Sequence, residues 1–343
     1  MRSFLVPLSG LTCLFALAVA GCSSDSGTTS DAAAGAAEPE SPFPSPSVSP
    51  TTTRYAPYVS ATEASANDSA GSPATYNLAF VISDGSTCTA KWNGTTAVGD
   101  TAVKSRISKL TASGSSVRVS FGGASGKELA TVCTSASKLA AAYGAALDAA
   151  GSTQADFDIE GTTLTDSASV ARRSQAIAQL QKDRPELEVT FTLPVMPSGL
   201  DADGLALLAS ANKYDVQVAT VNIMTMNYSE TYTGDMGDYA ITSATATHTQ
   251  LKSVFGTTDE SAWHGLALTS MIGVNDIANE TFTLSDAAQL RSFAEEKGVS
   301  WVSMWSTFRD QQCASDTVGQ NDAATNCSGV NQSSGAFGKA LAG

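Results

Sequence analysis

Ala155-Asp156-Phe157-Asp158-Ile159-Glu160-Gly161 is the stretch of sequence that decides the fold. Acidic and apolar residues alternate in it with a period of two, which is the period of a β-strand. The three carboxylates therefore share one face, and the phenylalanine and the isoleucine share the other. Three carboxylates on one face repel each other, and burial adds a desolvation cost. Taken alone, the pattern leaves open a half-exposed antiparallel strand, a divalent-metal site and a strand of a β/α barrel.

The rest of the chain favours the barrel. Strand-like runs occupy Ala56–Ser60, Asn77–Ile82, Ser116–Phe121, Ala155–Glu160, Glu188–Leu193, Val221–Asn227, Gly265–Ser270 and Trp301–Trp305. Helical stretches fall between most of them, at Lys127–Ala150, Asp166–Lys182, Asp201–Ala211, Ile241–Phe255 and Ser285–Lys297. Several strands are continuous apolar runs, which is typical of buried parallel strands. Eight such units predict an α/β protein with a single (β/α)8 TIM barrel, and Glu160 then lies at a strand's C-terminal end, where barrel active sites occur. A doubly wound open sheet is the alternative, but no Gly-rich phosphate loop follows the first strand.

The N-terminus has the features of an export signal. Arg2 supplies a positive charge, and the apolar run Leu11–Ala20 is too short to span a membrane. The run ends in Val19-Ala20-Gly21-Cys22, which resembles a bacterial lipobox. This resemblance implies a signal peptide over 1–21 and a lipid on Cys22 that anchors the protein to the outer face of the bacterial cell membrane. An ordinary signal peptide and a secreted protein are the alternative.

A tether and then the barrel follow the signal. Residues 22–53 are rich in Ser, Thr, Pro and Ala, and this composition predicts a disordered tether. The barrel is expected over 54–343. The net charge of -14 argues against nucleic acid as a partner and suits a neutral substrate.

Cysteine and histidine usage bears on disulfides and metals. Four cysteines remain outside the signal and the lipobox: Cys88, Cys133, Cys313 and Cys327. Three pairings are possible. We favour Cys88–Cys133 with Cys313–Cys327, because the second pair is close in sequence and closes one loop. No Cys/His spacing indicates zinc, and His248 and His264 are the two histidines, so we expect no metal and no cofactor.

Four motifs at the predicted strand ends resemble those of glycoside hydrolase family 18, the chitinases and their relatives. They are Ser120-Phe121-Gly122-Gly123, the acidic stretch that ends in Glu160, Met224-Thr225-Met226-Asn227-Tyr228, and Trp305 within Trp301–Ser306. The resemblance covers about residues 55–343. The first acid of the family's usual acidic motif would fall at Thr153 and is missing.

The resemblance implies a retaining reaction without a protein nucleophile, in which the acetamido oxygen of the substrate attacks the anomeric carbon. Glu160 would be the acid/base, and Asp158 would hold the acetamido N–H. Asp156 would share a proton with Asp158. Trp305 would form the floor under the sugar at the cleaved bond.

Other substrate contacts follow from the same comparison. Met226 and Asn227 stand where many members of the family have Tyr and Asp. Residues 224, 226 and 228 would share one strand face, so Tyr228 becomes our candidate for the hydroxyl that binds the acetamido carbonyl. Met224, Met226 and Asn227 are expected to contact substrate. Further candidates for the rim of the cleft are Trp92, Asn275 and Asp276.

The short segment between Ser270 and Trp301 leaves no room for the α+β domain that some family members insert there. We therefore expect an open cleft and an endo-acting chitinase that binds chitin or N-acetylglucosamine oligosaccharides as a monomer. An endo-β-N-acetylglucosaminidase acting on N-glycan chitobiose cores and a non-catalytic chitin-binding barrel are the alternatives.

Overall fold

The computed structural model describes residues 53–314 and 326–343. Its strands are β1 (Arg54–Tyr55), β2 (Tyr58–Ser60), β3 (Thr75–Ser83), β4 (Ala90–Trp92), β5 (Thr96–Ala97), β6 (Ser116–Gly122), β7 (Gln154–Asp158), β8 (Glu188–Pro194), β9 (Val218–Met224), β10 (Leu266–Met271), β11 (Gly273–Val274), β12 (Thr281–Phe282) and β13 (Trp301–Trp305). Its α-helices are α1 (Thr101–Leu110), α2 (Leu129–Val132), α3 (Ala136–Ala150), α4 (Gly161–Thr165), α5 (Ser167–Asp183), α6 (Ala202–Lys213), α7 (Met236–Phe255), α8 (Asp259–His264), α9 (Leu284–Lys297) and α10 (Ala336–Ala342).

The central sheet closes on itself. Strands β3, β6, β7, β8, β9, β10 and β13 pair in parallel in that order. At one edge β1 pairs in parallel with β13, and at the other edge β2 pairs in parallel with β3. Since β1 and β2 are parts of the same stretch, residues 54–60 join the two edges. The prediction of a (β/α)8 barrel is confirmed.

The two faces of β7 meet different surroundings, as its alternating sequence predicts. Phe157 points outward and is fully buried, and its ring lies 5.3 Å from that of Phe121 on β6 and 5.0 Å from that of Tyr143 on α3. The opposite face carries Asp156 and Asp158 into a barrel interior that is unusually polar. The apolar face thus attaches the strand to the helix layer, and the acidic face is left for the site.

Several element boundaries differ from the predicted ones. The strand predicted over Val221–Asn227 ends at Met224, because Asn227 adopts a left-handed backbone conformation with φ of 55° that extended structure does not accommodate. The helix predicted over Lys127–Ala150 is broken between α2 and α3, where Cys133 and Ser135 are extended. The sequence patterns also missed the β4–β5 and β11–β12 hairpins and helices α1, α4, α8 and α10.

A short hairpin connects β10 to α9. It consists of β11 and β12, which pair antiparallel through Gly273 with Phe282 and Val274 with Thr281. No α+β domain is inserted between these two elements, as predicted from the length of the segment. The mouth of the barrel is therefore bordered on this side by a loop of a few residues.

Two disulfides join loops around the barrel, and they are the favoured pairings. Cys88 binds Cys133, at a sequence separation of 45 residues, and Cys313 binds Cys327, at a separation of 14 residues. Within residues 53–314 and 326–343, every helix is too short or too polar to cross a lipid bilayer.

Candidate active site

Strand β7 and the two residues that follow it place three carboxylates at three depths. Asp156 is fully buried and Asp158 is 5% exposed, whereas Glu160 is half-buried at the mouth of the barrel. The extended backbone continues past the end of β7, because Ile159 donates its N–H to the carbonyl of Thr192 on β8 at 3.0 Å. Glu160 precedes α4 without capping it, so its carboxylate is free for other partners.

Asp156 is the most completely bonded of the three. Tyr58 and Ser120 donate their hydroxyls to Oδ2 at 2.8 and 2.6 Å, and Thr192 donates to Oδ1 at 2.6 Å. Burial raises the pKa of Asp156, while these three hydrogen bonds and the charge of Arg118 act in the opposite direction. Three donors on one carboxylate favour its ionised form.

Asp158 pairs with the carboxyl group of Glu160, while the proton sharing with Asp156 that the resemblance implies stays a prediction. The oxygens of Asp156 accept hydroxyl groups from three other strands. Burial, the charge of Glu160 and the charge of Asp156 all raise the pKa of Asp158 well above its usual value. Burial also raises the pKa of Glu160, the hydrogen bond from Asp158 lowers it, and the charge of Asp276 raises it. The raised pKa values of Asp158 and Glu160 favour proton uptake by this pair, whose titration is coupled.

One oxygen of Asp158 is left without a hydrogen bond. Its Oδ1 atom is buried and has no hydrogen-bond partner among the residues that the structure describes. A buried acceptor that stays unpaired costs free energy, so each such atom calls for an explanation. Asp158 also lines a cavity, which makes a ligand N–H a candidate partner for this oxygen.

Glycines at the end of β6 make room for Asp158. Gly122 has φ of 102°, and a Cβ atom on it would overlap the carbonyl oxygen of Asp158. Gly123 has φ of 88° and donates its N–H to that same carbonyl at 2.9 Å. The Ser-x-Gly-Gly motif thus supplies a hydroxyl to Asp156 and a close backbone contact to Asp158, and other residues would not fit.

An aromatic floor lies beside the acids. Trp305 ends β13, and its ring stacks on that of Phe80 at 5.5 Å and meets the edge of Tyr58 at 5.9 Å. All three rings line the cavity that holds Asp158 and Glu160. Trp305 is half-buried, which leaves part of its ring exposed to a ligand.

The cleft consists of three adjoining cavities. The central one, of about 120 Å³, is lined by Tyr58, Phe80, Ala124, Asp158, Glu160, Thr192, Met224, Met226, Asn227, Thr269, Met271, Asp276 and Trp305. A larger one, of about 570 Å³, shares Phe80 and Trp305 with it. A third, of about 180 Å³, shares Glu160, Met224, Met226 and Asn227 with it. Glu160 thus stands between the central and the third cavity.

The structure brings most of the predicted site residues into the central cavity. Glu160, Asp158, Trp305, Asn227, Met224 and Met226 line it, and Asp156 lies directly beneath. Cys22, the predicted lipidation site, lies outside the described residues.

Tyr228 is not brought to the cavity. It is 3% exposed, and its hydroxyl accepts a hydrogen bond from Ser243 of α7 at 3.3 Å, while its ring packs against Tyr232 and Tyr239. The prediction that residues 224, 226 and 228 share a face is wrong, because β9 ends at Met224 and the left-handed Asn227 redirects the chain. Tyr228 is therefore withdrawn as the carbonyl-binding hydroxyl.

Two predicted rim residues are buried instead. Trp92 is fully buried in the core, because it lies on β4, a strand that the sequence pattern did not reveal, and its indole N–H donates to the carbonyl of Val98 at 3.4 Å. Asn275 is 4% exposed, and its amide donates to the carbonyls of Met271 at the end of β10 and of Gly273 on β11. Asp276, the neighbour of Asn275, is the residue of this segment that reaches the cleft.

Sequence reasoning missed Tyr58, Phe80 and Thr192 as parts of the site. Tyr58 and Thr192 stood in predicted strands on positions that a strand period directs inward, so the alternation could have indicated them. Nothing in the pattern selects Phe80. In the described part of the chain, no group of three or more His, Cys, Asp or Glu side chains is arranged to hold a metal ion.

The chain was compared with protein families, curated proteins and solved structures. No protein-family model matches the chain. The chain is 34% identical over 275 residues to a probable bifunctional chitinase/lysozyme of Escherichia coli (strain K12), a match that covers 75% of this chain and 31% of that protein. It is 32% identical over 280 residues to endochitinase 11 of Metarhizium anisopliae, with 76% of this chain and 53% of that protein covered. The chain thus spans about a third to a half of the length of these curated relatives.

Solved structures give the same picture. Active domain 2 of a chitinase from Pyrococcus furiosus is similar with a TM-score of 0.74 and 28% identity, covering 88% of this chain and 95% of that one. The same values hold for that domain in complex with chito-oligosaccharides. A GH18 chitinase from Pseudoalteromonas aurantia has a TM-score of 0.55 at 14% identity, covers 74% of this chain and 94% of that one, and shares the fold. The chain therefore has the β/α barrel of the chitinase-like catalytic domains of glycoside hydrolase family 18.

Proposed function

We propose that the chain is an endo-acting chitinase that hydrolyses β-1,4 links between N-acetylglucosamine units with retention of configuration. The observation that carries the proposal is the buried, unpartnered Oδ1 atom of Asp158, in the same cavity as Glu160 and beside the Trp305 ring. An acetamido N–H is a neutral donor of the right kind for this oxygen. The named chitinase relatives support the substrate class.

The steps start from one proton held by the Asp158–Glu160 pair. When the acetamido N–H binds Oδ1 of Asp158, the charged form of Asp158 is favoured, and the proton of the pair passes to Glu160. Glu160 then protonates the glycosidic oxygen as the acetamido oxygen attacks the anomeric carbon and forms an oxazolinium ion. In the second step Glu160 removes a proton from a water molecule as the water oxygen attacks the anomeric carbon. The bond from this carbon to the acetamido oxygen breaks, which opens the oxazolinium ring and gives net retention of configuration. Asp156 stays ionised beneath and stabilises the positive charge.

The three adjoining cavities support endo action, and we infer a direction for the substrate chain from the residues that they share. The sugar whose bond is cleaved lies on Trp305 in the central cavity, and the leaving sugar lies beyond Glu160 in the third cavity. The larger cavity, on the far side of Trp305 and Phe80, then receives the non-reducing part of the chain. Cavities on both sides of the acid suit cleavage within a chain, and the larger volume favours long non-reducing products.

A thiazoline derivative of N-acetylglucosamine oligomers tests the mechanism, because it mimics the oxazolinium ion. We expect competitive inhibition, and we expect Asp158→Asn to lose turnover while it still binds oligosaccharide. Hydrolysis of a cellulose oligomer, which has no acetamido group, as fast as a chitin oligomer would rule out substrate assistance and make a protein carboxylate the nucleophile.

Hydrolysis assays also distinguish two alternative functions. Release of glycan from a glycoprotein, with little action on chitin oligomers, would indicate an endo-β-N-acetylglucosaminidase. Binding of chitin without hydrolysis would indicate a non-catalytic barrel.

We also propose that the barrel is exported as a monomer and anchored through a lipid on Cys22 to the outer face of a bacterial cell membrane. The lipobox-like Val19-Ala20-Gly21-Cys22 and the Ser/Thr/Pro/Ala-rich segment over 22–53 support this proposal. A tether of that composition would let the cleft reach an insoluble polymer near the cell.

A further inference from the structure

The hairpin between β10 and α9 carries an acidic side chain into the cleft. Its loop is closed by its own backbone, since Asn275 donates its N–H to the carbonyl of Glu280 at 3.0 Å and Glu280 donates to that of Ile277 at 2.9 Å. Asp276, on this loop, lines the central cavity with Asp158 and Glu160. The mechanism proposed above gives Asp276 no role.

Asp276 is held across the cleft by a reciprocal pair of hydrogen bonds. The side-chain amide of Asn227 donates to Oδ2 of Asp276 at 3.0 Å, and the backbone N–H of Asp276 donates to Oδ1 of Asn227 at 3.0 Å. Both ends of the Asn227 amide are therefore used by one residue. This pair fixes the orientation of the Asp276 carboxylate.

A second acid of the hairpin anchors the segment that carries Asn227. Glu280 is fully buried, and its Oε1 atom accepts the backbone N–H of Ser229 at 3.0 Å. Its Oε2 atom has no hydrogen-bond partner in the described ranges. Asn227 and Ser229 both have positive φ, of 55° and 153°, so this segment is held in an unusual conformation from two sides.

We propose that Asp276 is a positioning residue for the acid, in which the pair with Asn227 fixes a negative charge beside Glu160 and so keeps the catalytic proton on the Asp158–Glu160 pair. The inference rests on the acid role of Glu160 in the proposed function. Where the resemblance leads one to expect an acid, position 227 holds an amide, and the hairpin supplies a carboxylate that is hydrogen-bonded to this amide.

The sign of the effect follows from the charges that face Glu160. These are Asp158 and Asp276, which line the central cavity with Glu160, Asp201 in the third cavity, and Asp156 beneath. Arg309 interacts with the charge of Asp276, and its buried guanidinium donates to the carbonyls of Ile272 and Val274. Burial lowers the pKa of Arg309 to about 10 while the charge of Asp276 opposes the change, so the guanidinium stays protonated near neutral pH.

The loss of the Asp276 charge should move the alkaline limb of activity. Cleavage needs a proton on Glu160, so activity falls as the pH rises through the pKa of the pair. The charge of Asp276 raises the pKa of Glu160. Its removal lowers that pKa and shifts the limb to lower pH, by about half a pH unit because the exposed carboxylate is screened by water. Bound sugar excludes water, so the limb of kcat should move at least as far as that of kcat/KM.

The experiment compares Asp276→Asn with Glu230→Gln, which removes the same charge from an exposed residue of the Asn227 loop outside the three cavities. Profiles of kcat and kcat/KM against pH are measured on an N-acetylglucosamine oligomer. We expect the alkaline limb to shift to lower pH in Asp276→Asn and to stay in place in Glu230→Gln. In the double variant Asn227→Asp/Asp276→Asn the negative charge returns on residue 227, so we expect the limb to return to its wild-type pH. An unshifted limb overturns the proposal, and so does loss of turnover at every pH, which would make Asp276 a catalytic residue.

A second measurement does not depend on hydrolysis. The ¹³C resonance of the Glu160 carboxyl group, assigned with Glu160→Gln, is titrated in the wild type and in Asp276→Asn. A lower midpoint in the variant supports the inference even if no chitin oligomer is cleaved, in which case it is the proposed function that fails. An unchanged midpoint overturns the inference whatever the enzyme hydrolyses.

Discussion

Two tyrosines on the stretch that closes the barrel allow a matched test of the network beneath the acids. Tyr58 and Tyr55 are 1% and 4% exposed and lie three residues apart. The hydroxyl of Tyr58 donates to Asp156 at 2.8 Å and lies 3.0 Å from that of Thr192. The hydroxyl of Tyr55 is buried and finds no hydrogen-bond partner within the described residues. Tyr58→Phe and Tyr55→Phe therefore delete the same atom from two different environments.

The expected magnitudes differ because the partner of Tyr58 is a carboxylate. A hydrogen bond to a charged group contributes about 1.5–3 kcal/mol to stability, so Tyr58→Phe should lower the free energy of unfolding by about 2 kcal/mol. Tyr55→Phe removes an unpaired buried polar atom, so its free energy of unfolding should stay within about 0.5 kcal/mol of the wild type or rise.

The difference also depends on pH in a defined direction. Burial raises the pKa of Asp156, and the hydrogen bond from Tyr58 lowers it. This hydrogen bond therefore contributes stability when Asp156 is ionised, and the contribution is lost as the pH falls and the carboxyl group takes up a proton. The deficit of Tyr58→Phe should accordingly be larger at pH 7 than at pH 4.

Urea unfolding followed by tryptophan fluorescence measures all three proteins at both pH values. Equal losses in the two variants would refute the reasoning, because they would show that the deleted atom matters and its partner does not. A loss in Tyr58→Phe that grows at acidic pH would also refute it, since the hydrogen bond would then stabilise the protonated form of Asp156 more than the ionised form.

Three further predictions concern the acid, the disulfides and the anchor. Glu160→Gln should lower turnover of a chitin oligomer by about 10²–10⁴-fold with an unchanged urea midpoint, and near-wild-type hydrolysis would remove Glu160 from the mechanism. From loop-closure entropy, the double serine variant at Cys88 and Cys133 should lose about 4 kcal/mol of stability and that at Cys313 and Cys327 about 3 kcal/mol, and the reverse order in urea would contradict the entropic argument. Mass spectrometry of the mature N-terminus from a lipidating bacterial host should find a lipid-modified Cys22, and an unmodified N-terminus beyond it would indicate a secreted protein.

The sequence predicted the barrel well because periodicity reports on buried strands. The near-continuous apolar runs indicate strands covered on both sides. The alternation of acidic and apolar residues in β7 indicates the strand whose inward face carries the acidic side chains of the site. The site residues that were predicted correctly in place, such as Asp158 and Trp305, lie on or directly after those strands. Their positions follow from the strand period alone.

The failures begin where the period ends. Tyr228 was assigned by extending the alternation of β9 beyond Met224, but the left-handed Asn227 turns the chain, and the next side chain enters the layer against α7. Asn275 and Asp276 are adjacent, and only the hairpin geometry decides that one is buried and the other faces the cleft. Which polar groups meet inside the barrel, as Tyr58 meets Asp156, depends on its closure, which no local pattern encodes.

In the proposed mechanism, the three acids on β7 and directly after it differ in role because they differ in depth, although they share one face. Asp156, the deepest of the three, accepts hydrogen bonds from three hydroxyl groups, which favour its ionised form. Asp158, one step higher, is bonded on one oxygen by its neighbour and left open on the other, so a ligand N–H can change which acid holds the proton. Glu160, at the mouth, is close enough to solvent to exchange a proton with water and close enough to Asp276 to feel its charge. In the proposed mechanism, exposure thus separates a fixed charge, an acid that responds to the substrate N–H, and the acid/base that exchanges protons with substrate and water.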